Sequence, residues 1–269
     1  MRLARVVAGA ALGFAALNPA YVLSPAYAAD FGTVEFVAGQ VTVQTQEGRV
    51  IAARVGTAIP VGADLVTGKD GELHIETADS GLVALRPNTR LRVAEYRAEG
   101  DELDTQILSL VRGTFRSVTG WIGRYNTDRY RVTTPTATIG VRGTDHEPSY
   151  LLEEDVSATA AEAGLESGTY DKVNEGASWI ENEGGRIEVA QNQAGFAHAS
   201  RARPARLKKI PGFFKGTRHE KRIGERREHL RKLIEQRRTA KRAALKDKLQ
   251  RMKEQRDRRK ERRKGRTGG

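Results

Sequence analysis

Residues 134–145 read TPTATIGVRGTD, and the residue there most able to do chemistry is Arg142, set between Gly140-Val141 and Gly143. A guanidinium carries five donors in a rigid fork, so it can grip a carboxylate or a phosphate with two parallel hydrogen bonds. Flanking glycines allow positive φ and close backbone approach. The side chain is therefore expected to fold back across its own sheet and satisfy carbonyls or a carboxylate such as Asp145. Thr134, Pro135, Gly140, Arg142, Gly143, Thr144 and Asp145 are read together as a structural motif. Arg142→Ala is expected to cost a buried-network amount, about 2–5 kcal/mol.

Other chemistry is sparse. The chain has no cysteine, hence no thiol nucleophile, and its five histidines, His74, His146, His198, His219 and His229, show no paired helical spacing for a metal. His146-Glu147 near Glu153-Glu154-Asp155 is the one local group that could hold a cation, and a solvated acidic loop is the expected reading. His74 alternates with Leu73 and Ile75, which puts it on the solvent face of a strand. No G-x-S-x-G turn and no phosphate-binding loop with its lysine is present. No catalytic, cofactor or metal site is expected. Carboxylate pairs that meet only in space leave an enzyme acting on an envelope polymer as the alternative.

The elements that must carry these residues are strands. TVEFVAG, QVTVQTQ, ELHIET, LVALR and TRLRVAE alternate apolar with polar residues, the period of a strand with one buried face. Gly39, Glu47-Gly48, Lys69-Asp70-Gly71, Asp79-Ser80-Gly81 and Arg86-Pro87-Asn88 punctuate them as turns. DTQILSLVRGTFRSV and YRVTTP continue the pattern, with Gly113 as a bulge or turn. Residues 146–172, acidic and rich in small side chains, read as an irregular excursion. Strand character returns in GASWIENEGGRIEVAQNQAGFAHAS. The fold class is all-β, a roll, short solenoid or sandwich of short strands, followed by a long basic α-helical tail.

Charge divides the chain. Its formal net charge of +12 over 269 residues conceals 29 Lys+Arg against 8 Asp+Glu from Arg201 onward, and an acidic remainder. The first 28 residues read as an export signal: Arg2 and Arg5, an apolar run from Val6 to Leu17, then Ala26 and Ala28 at the spacing a signal peptidase reads. The run is shorter than the about 20 residues a membrane span needs, so no transmembrane span is expected after cleavage. The remaining divisions are a β-domain over 29–200, a linker over 201–219, a mostly solvated helix over 220–264, and a disordered end over 265–269. Phe213-Phe214 in the linker are expected to dock on the body. The helix carries opposite charges four apart, such as Asp247–Arg251, and a thin, interrupted apolar stripe through Ile223, Leu230, Leu233, Ile234, Leu245, Leu249 and Met252.

The landmarks GTVEFVAGQVTVQ, VGTAIPVGADLVTGKDGELHIET, RPNTRLRV, LVRGTFRSVTG and TPTATIGVRGTD, in that order, resemble a FecR-type domain over Phe31–Ala197. The resemblance implies an all-β, non-enzymatic periplasmic domain. In the family's best-understood members it belongs to a membrane protein that passes a signal from an outer-membrane iron-uptake transducer to a sigma factor. Two features depart from those members. Five residues precede the apolar run, leaving no room for a sigma-binding segment, and a basic tail stands where a transducer-contacting piece would lie. The sigma-regulator role is therefore not carried over.

The resulting expectation is an exported, periplasmic interaction or scaffold module of a Gram-negative envelope, without cofactors. Its partner would be an unidentified envelope protein. The basic tail would draw it to anionic lipid, lipopolysaccharide or its own acidic body. Export argues against nucleic acid as the partner. A polyanion-binding structural protein is the remaining alternative.

Overall fold

The computed structural model describes residues 30–157, 164–200, 202–214, 216 and 219–264. The export signal read over 1–28 and the end at 265–269 lie outside them.

The alternating segments form β1 (Gly32–Ala38), β2 (Val41–Gln44), β3 (Val50–Ala52), β4 (Ala58–Ile59), β5 (Asp64–Thr67), β6 (Glu72–Thr77), β7 (Leu82–Leu85) and β8 (Arg90–Arg97). After them come β9 (Thr105–Val118), a helical turn α1 (Ile122–Tyr125), β10 (Tyr130–Thr133) and β11 (Thr138–Leu151). The body ends with β12 (Gly168–Asn182), β13 (Gly185–Ala190), β14 (Ala194–His198) and β15 (Ala205–Arg206), and helix α2 (Glu220–Lys264) follows. The mostly β body with a long C-terminal helix matches the expected fold class. Two local expectations fail. The turn α1 is too short to leave a helical period. The region taken as an irregular excursion is strand at both its ends, because β11 continues to Leu151 and β12 begins at Gly168.

All fifteen strands belong to one sheet, with the order β4-β1-β6-β7-β9-β10-β11-β12-β14-β15 along its main path. Strand β9 is the hinge of the winding. Its first half pairs with β8 and, in parallel, with β10, while its second half pairs with β7 and β11. Gly113 sits at the change of partners with φ +88°, and a Cβ there would come within 2.5 Å of the Thr89 hydroxyl oxygen. Glycine is needed at this bend.

Inside the winding, Phe31, Leu65, Ile75, Leu85, Leu108, Phe115, Tyr130 and Ile139 are fully buried. Each large apolar side chain contributes about 1.5–3 kcal/mol of transfer free energy. The body therefore has a substantial core without disulfides.

A second, smaller apolar cluster lies on the other side of the sheet. Leu82, Ala84 and Val118 meet Ile223 and Leu230 of α2, with Leu233 packed against them. Strand β7 is thus buried on both faces. The alternation expected of LVALR fails here: LVAL is a continuous apolar run, which is the pattern of a strand covered on both sides. The stripe on α2 is what covers it, so the first four turns of the helix are docked rather than solvated. From Glu235 to Arg256 every described side chain is exposed. In the linker, Phe214 is buried and Phe213 meets the Tyr170 ring edge-on at 5.3 Å.

Candidate functional site

The opening motif forms the turn before β11 and the first half of that strand. Thr134 holds the turn: its hydroxyl donates to the Ala137 carbonyl at 2.9 Å and accepts from the Ala137 amide at 3.0 Å. Pro135, without an amide to donate, sits exposed at the tip. Gly140 makes room for a neighbour, since a Cβ there would lie 2.2 Å from the Trp179 ring. That ring is capped by the Arg186 guanidinium at 3.8 Å and the Arg131 guanidinium at 4.8 Å.

Gly143, with φ +60°, lies in a bulge between Arg142 and Asp145. Thr144 secures the bulge, accepting from the Arg142 amide at 3.2 Å and donating to the Ala177 carbonyl at 2.6 Å. An unpaired residue reverses the alternation of faces. Ile139 and Val141 therefore point into the core before the bulge, and His146 does so after it.

The expectation for Arg142 is overturned by this geometry. Its side chain is 61% exposed and pairs with an equally exposed Glu188 at 3.2 Å. It neither folds across the sheet nor reaches Asp145. The bulge turns it outward.

The arginine that does hold Asp145 is Arg116 of β9. Its Nε and Nη2 donate to the two carboxylate oxygens at 2.7 Å each, the bidentate geometry of a strong ion pair. Both side chains are almost wholly buried. Burial alone would raise the Asp145 carboxyl, but Arg116, Asn174 and Arg227 hold it below the usual carboxylate range. Burial likewise disfavours the charged Arg116, yet Asp145 and Glu220 keep its guanidinium above its ordinary value.

This pair is the centre of a charged stripe that crosses five strands beneath α2. On β1 and β6, Glu35 and Glu76 both pair with Arg226 of the helix. On β9, Arg116 pairs with Glu220 at the helix start. On β11 and β12, Asp145 pairs with Arg227 at 3.2 Å and Glu175 pairs with Arg231. Burial pushes the Glu35 carboxyl up; Arg226 works against this and Glu76 adds to it. Glu147, expected in an open acidic loop, is buried on the same face between Arg86 and Lys172.

His74 is on the predicted face of β6, but that face is not open to solvent. It is 2% exposed, its Nε2 lies 2.7 Å from Glu72, and its ring stacks at 4.9 Å on Phe36. His219, just before α2, also packs on Phe36 at 4.4 Å and lies 6.4 Å from the His74 ring. The sequence placed His74 on the correct face and missed its cover.

His146 points the other way, into the sheet interior. Its Nδ1 is 2.9 Å from Asp171 and its Nε2 is 3.0 Å from the Tyr130 hydroxyl. The Tyr130 hydroxyl donates to Ser117 at 2.9 Å, and Ser178 donates to Asp171 at 2.5 Å. The array has the residue types of a proton relay, but every member is buried. No substrate can reach it, and the polar groups satisfy one another, as buried polar groups must. Burial pushes the Tyr130 hydroxyl up, with Ser117 pulling the other way. His146 and Glu147 thus diverge to opposite faces, and the supposed cation group with 153–155 is not assembled. Among the described residues no cluster of three His, Asp or Glu could hold a metal.

Residues 63–169 match the family model described as FecR protein. Among solved structures, two crystal structures of a candidate anti-sigma factor from Parabacteroides distasonis ATCC 8503 align with TM-scores of 0.40 and 0.41 at 12% identity. In each, the alignment covers 54% of this chain and 58% of that one. A structure called a cell surface anchoring domain aligns with a TM-score of 0.22 at 26% identity, over 23% of this chain and 80% of its own. No curated protein matches. The family match includes Arg116, the motif through Asp145 and most of the strands beneath α2, and residues 63–169 of this chain are a FecR domain.

Proposed function

We propose that this protein is a non-enzymatic interaction module of the bacterial envelope, exported to the periplasm, where its FecR domain serves sensing or scaffolding and its helix tethers it to an anionic surface. The observation that carries the reading is the division of α2. Arg226, Arg227 and Arg231 are spent on the acidic sheet face. Beyond Ile234 the described side chains are exposed, and residues 241–264 hold thirteen Lys and Arg against four Asp and Glu. At a rise of about 1.5 Å per residue, the helix after Ile234 extends about 45 Å. It is an arm with a positive field and few partners of its own. No helix among the described residues is long and apolar enough to cross a membrane. Such an arm attracts anionic lipid headgroups at about 1 kcal/mol per cation near the surface, and salt weakens it.

Cosedimentation with phosphatidylglycerol-containing vesicles tests the tether. Binding is expected at low salt, to fall as salt is raised, and to be absent on neutral vesicles. Replacing the exposed Lys246, Lys248 and Lys253 by Glu is expected to weaken it at least about tenfold. Binding unaffected by that triple change would refute the tether. The sensing role is tested by crosslinking in intact cells, where a partner captured through the β body supports it and capture of none refutes it.

A further inference from the structure

A cleft of about 1160 Å³ opens between α1, the Arg142 bulge and the middle of α2. Six cationic side chains line it, against one carboxylate, Glu235, which Arg238 already meets at 3.5 Å. Arg124, Lys241 and Arg242 have no carboxylate partner among the described residues. Arg142 reaches the cleft from the bulge, held only by its exposed pair with Glu188. In the acidic loop next to the cleft, Glu99, Asp101 and Asp104 face Arg97 at 2.7 Å, 2.6 Å and 3.6 Å, which leaves Glu102 as its one carboxylate without a cation partner among the described residues. Trp121 and Ile234 supply buried apolar surface, while Tyr125 and Leu245 are 57% and 58% exposed at its sides.

Cations around an apolar surface suit one kind of ligand: an anion joined to a hydrocarbon chain. Guanidinium groups match the oxygen spacing of a phosphate, and exposed apolar side chains beside them would be covered by the chain. We propose that this cleft binds the phosphate end of a lipid, with Arg124, Arg142, Lys241 and Arg242 on the phosphate and Trp121, Tyr125 and Leu245 against the first methylenes. The proposal rests on the envelope-facing reading above and makes it specific, adding a single-lipid site to a diffuse electrostatic arm. It also gives Arg142 a use that its exposed position leaves open. An acidic peptide offers the charge without a continuous hydrocarbon chain, so the apolar half of the cleft favours the lipid.

The test uses the chain from Ala29 onward and dodecyl phosphate below its micelle concentration, followed by calorimetry. Tryptophan emission is read in parallel in a Trp179→Phe background, where Trp121 is the only indole left. One-to-one saturable binding is expected, at least about tenfold tighter than inorganic phosphate, with no response to neutral dodecyl maltoside. Arg124→Gln with Arg142→Gln is expected to weaken it at least about tenfold while circular dichroism is unchanged, and Arg49→Gln, in the β2–β3 loop, to leave it unaltered. The proposal is overturned by absence of saturable binding, by equal binding of inorganic phosphate or the neutral detergent, by equal or tighter binding of hexaglutamate, or by indifference to the double substitution. Loss of this binding with vesicle cosedimentation intact would remove the cleft and leave the tether. Cosedimentation unaffected by the lysine-to-glutamate change, with dodecyl phosphate binding intact, would do the reverse.

Discussion

Arg116 and Arg142 are both strand arginines, and exchanging each for alanine should separate a buried ion pair from an exposed one. Arg116→Ala strips Asp145 of two hydrogen bonds of 2.7 Å and frees Glu220 at the helix start. Breaking one side of a buried pair costs about 3–5 kcal/mol. Asn174 and Arg227 still reach Asp145, each at 3.2 Å, which puts the expectation at the low end, about 3 kcal/mol. For a chain of this size that is a fall in Tm of about 6–12 °C. Arg142→Ala removes a pair whose side chains are 61% and 65% exposed. Such pairs contribute about 0–1 kcal/mol, so the shift should be within about 4 °C. Thermal and urea unfolding followed by far-UV circular dichroism on both variants decides the matter. Arg142→Ala falling as far as Arg116→Ala, or Arg116→Ala unfolding with the unmodified protein, would refute the assignment of the buried role.

Two further expectations follow from the packing. Ile223→Asp with Leu230→Asp should lift α2 from β7, costing about 3–6 kcal/mol of burial and raising binding of a hydrophobic dye to the uncovered Leu82, Ala84 and Val118; unchanged dye binding would show the helix undocked to begin with. Asp79 is fully buried, and burial pushes its carboxyl above the usual range although Thr77, the Ile122 amide and Tyr96 donate to it. A raised folded pKa means stability that is fully present below the unfolded value of about 3.9 and lost as pH rises through the folded value. Asp79→Asn should flatten that part of the stability–pH profile measured by urea unfolding, and an identical slope in both proteins would contradict it.

The lesson of β6 and β7 is about covers rather than faces. Alternation correctly put His74 opposite Leu73 and Ile75, because the period of a strand is local covalent geometry. Alternation cannot say whether the polar face meets water. The continuous LVAL run did carry that signal, and so did the apolar stripe on the helix, but each is ambiguous without the other. Arg116 was invisible for the same reason: a strand arginine beside Ser117 looks like any solvated cation until Asp145 is brought opposite it from 29 residues away.

Local chemistry in the chain determined the strands, most of the turns, the long helix, the division into acidic body and basic tail, and the resemblance to FecR domains. These depend on near-neighbour patterns, which the order of residues states directly. The tertiary structure decided which way the motif's side chains point, because one extra residue in a bulge reverses the faces of everything after it. It also decided that the first third of the helix is interface while the described side chains beyond Ile234 are exposed. That outcome depends on the summed charge and shape of five strands meeting one helix, and no stretch of sequence contains that sum.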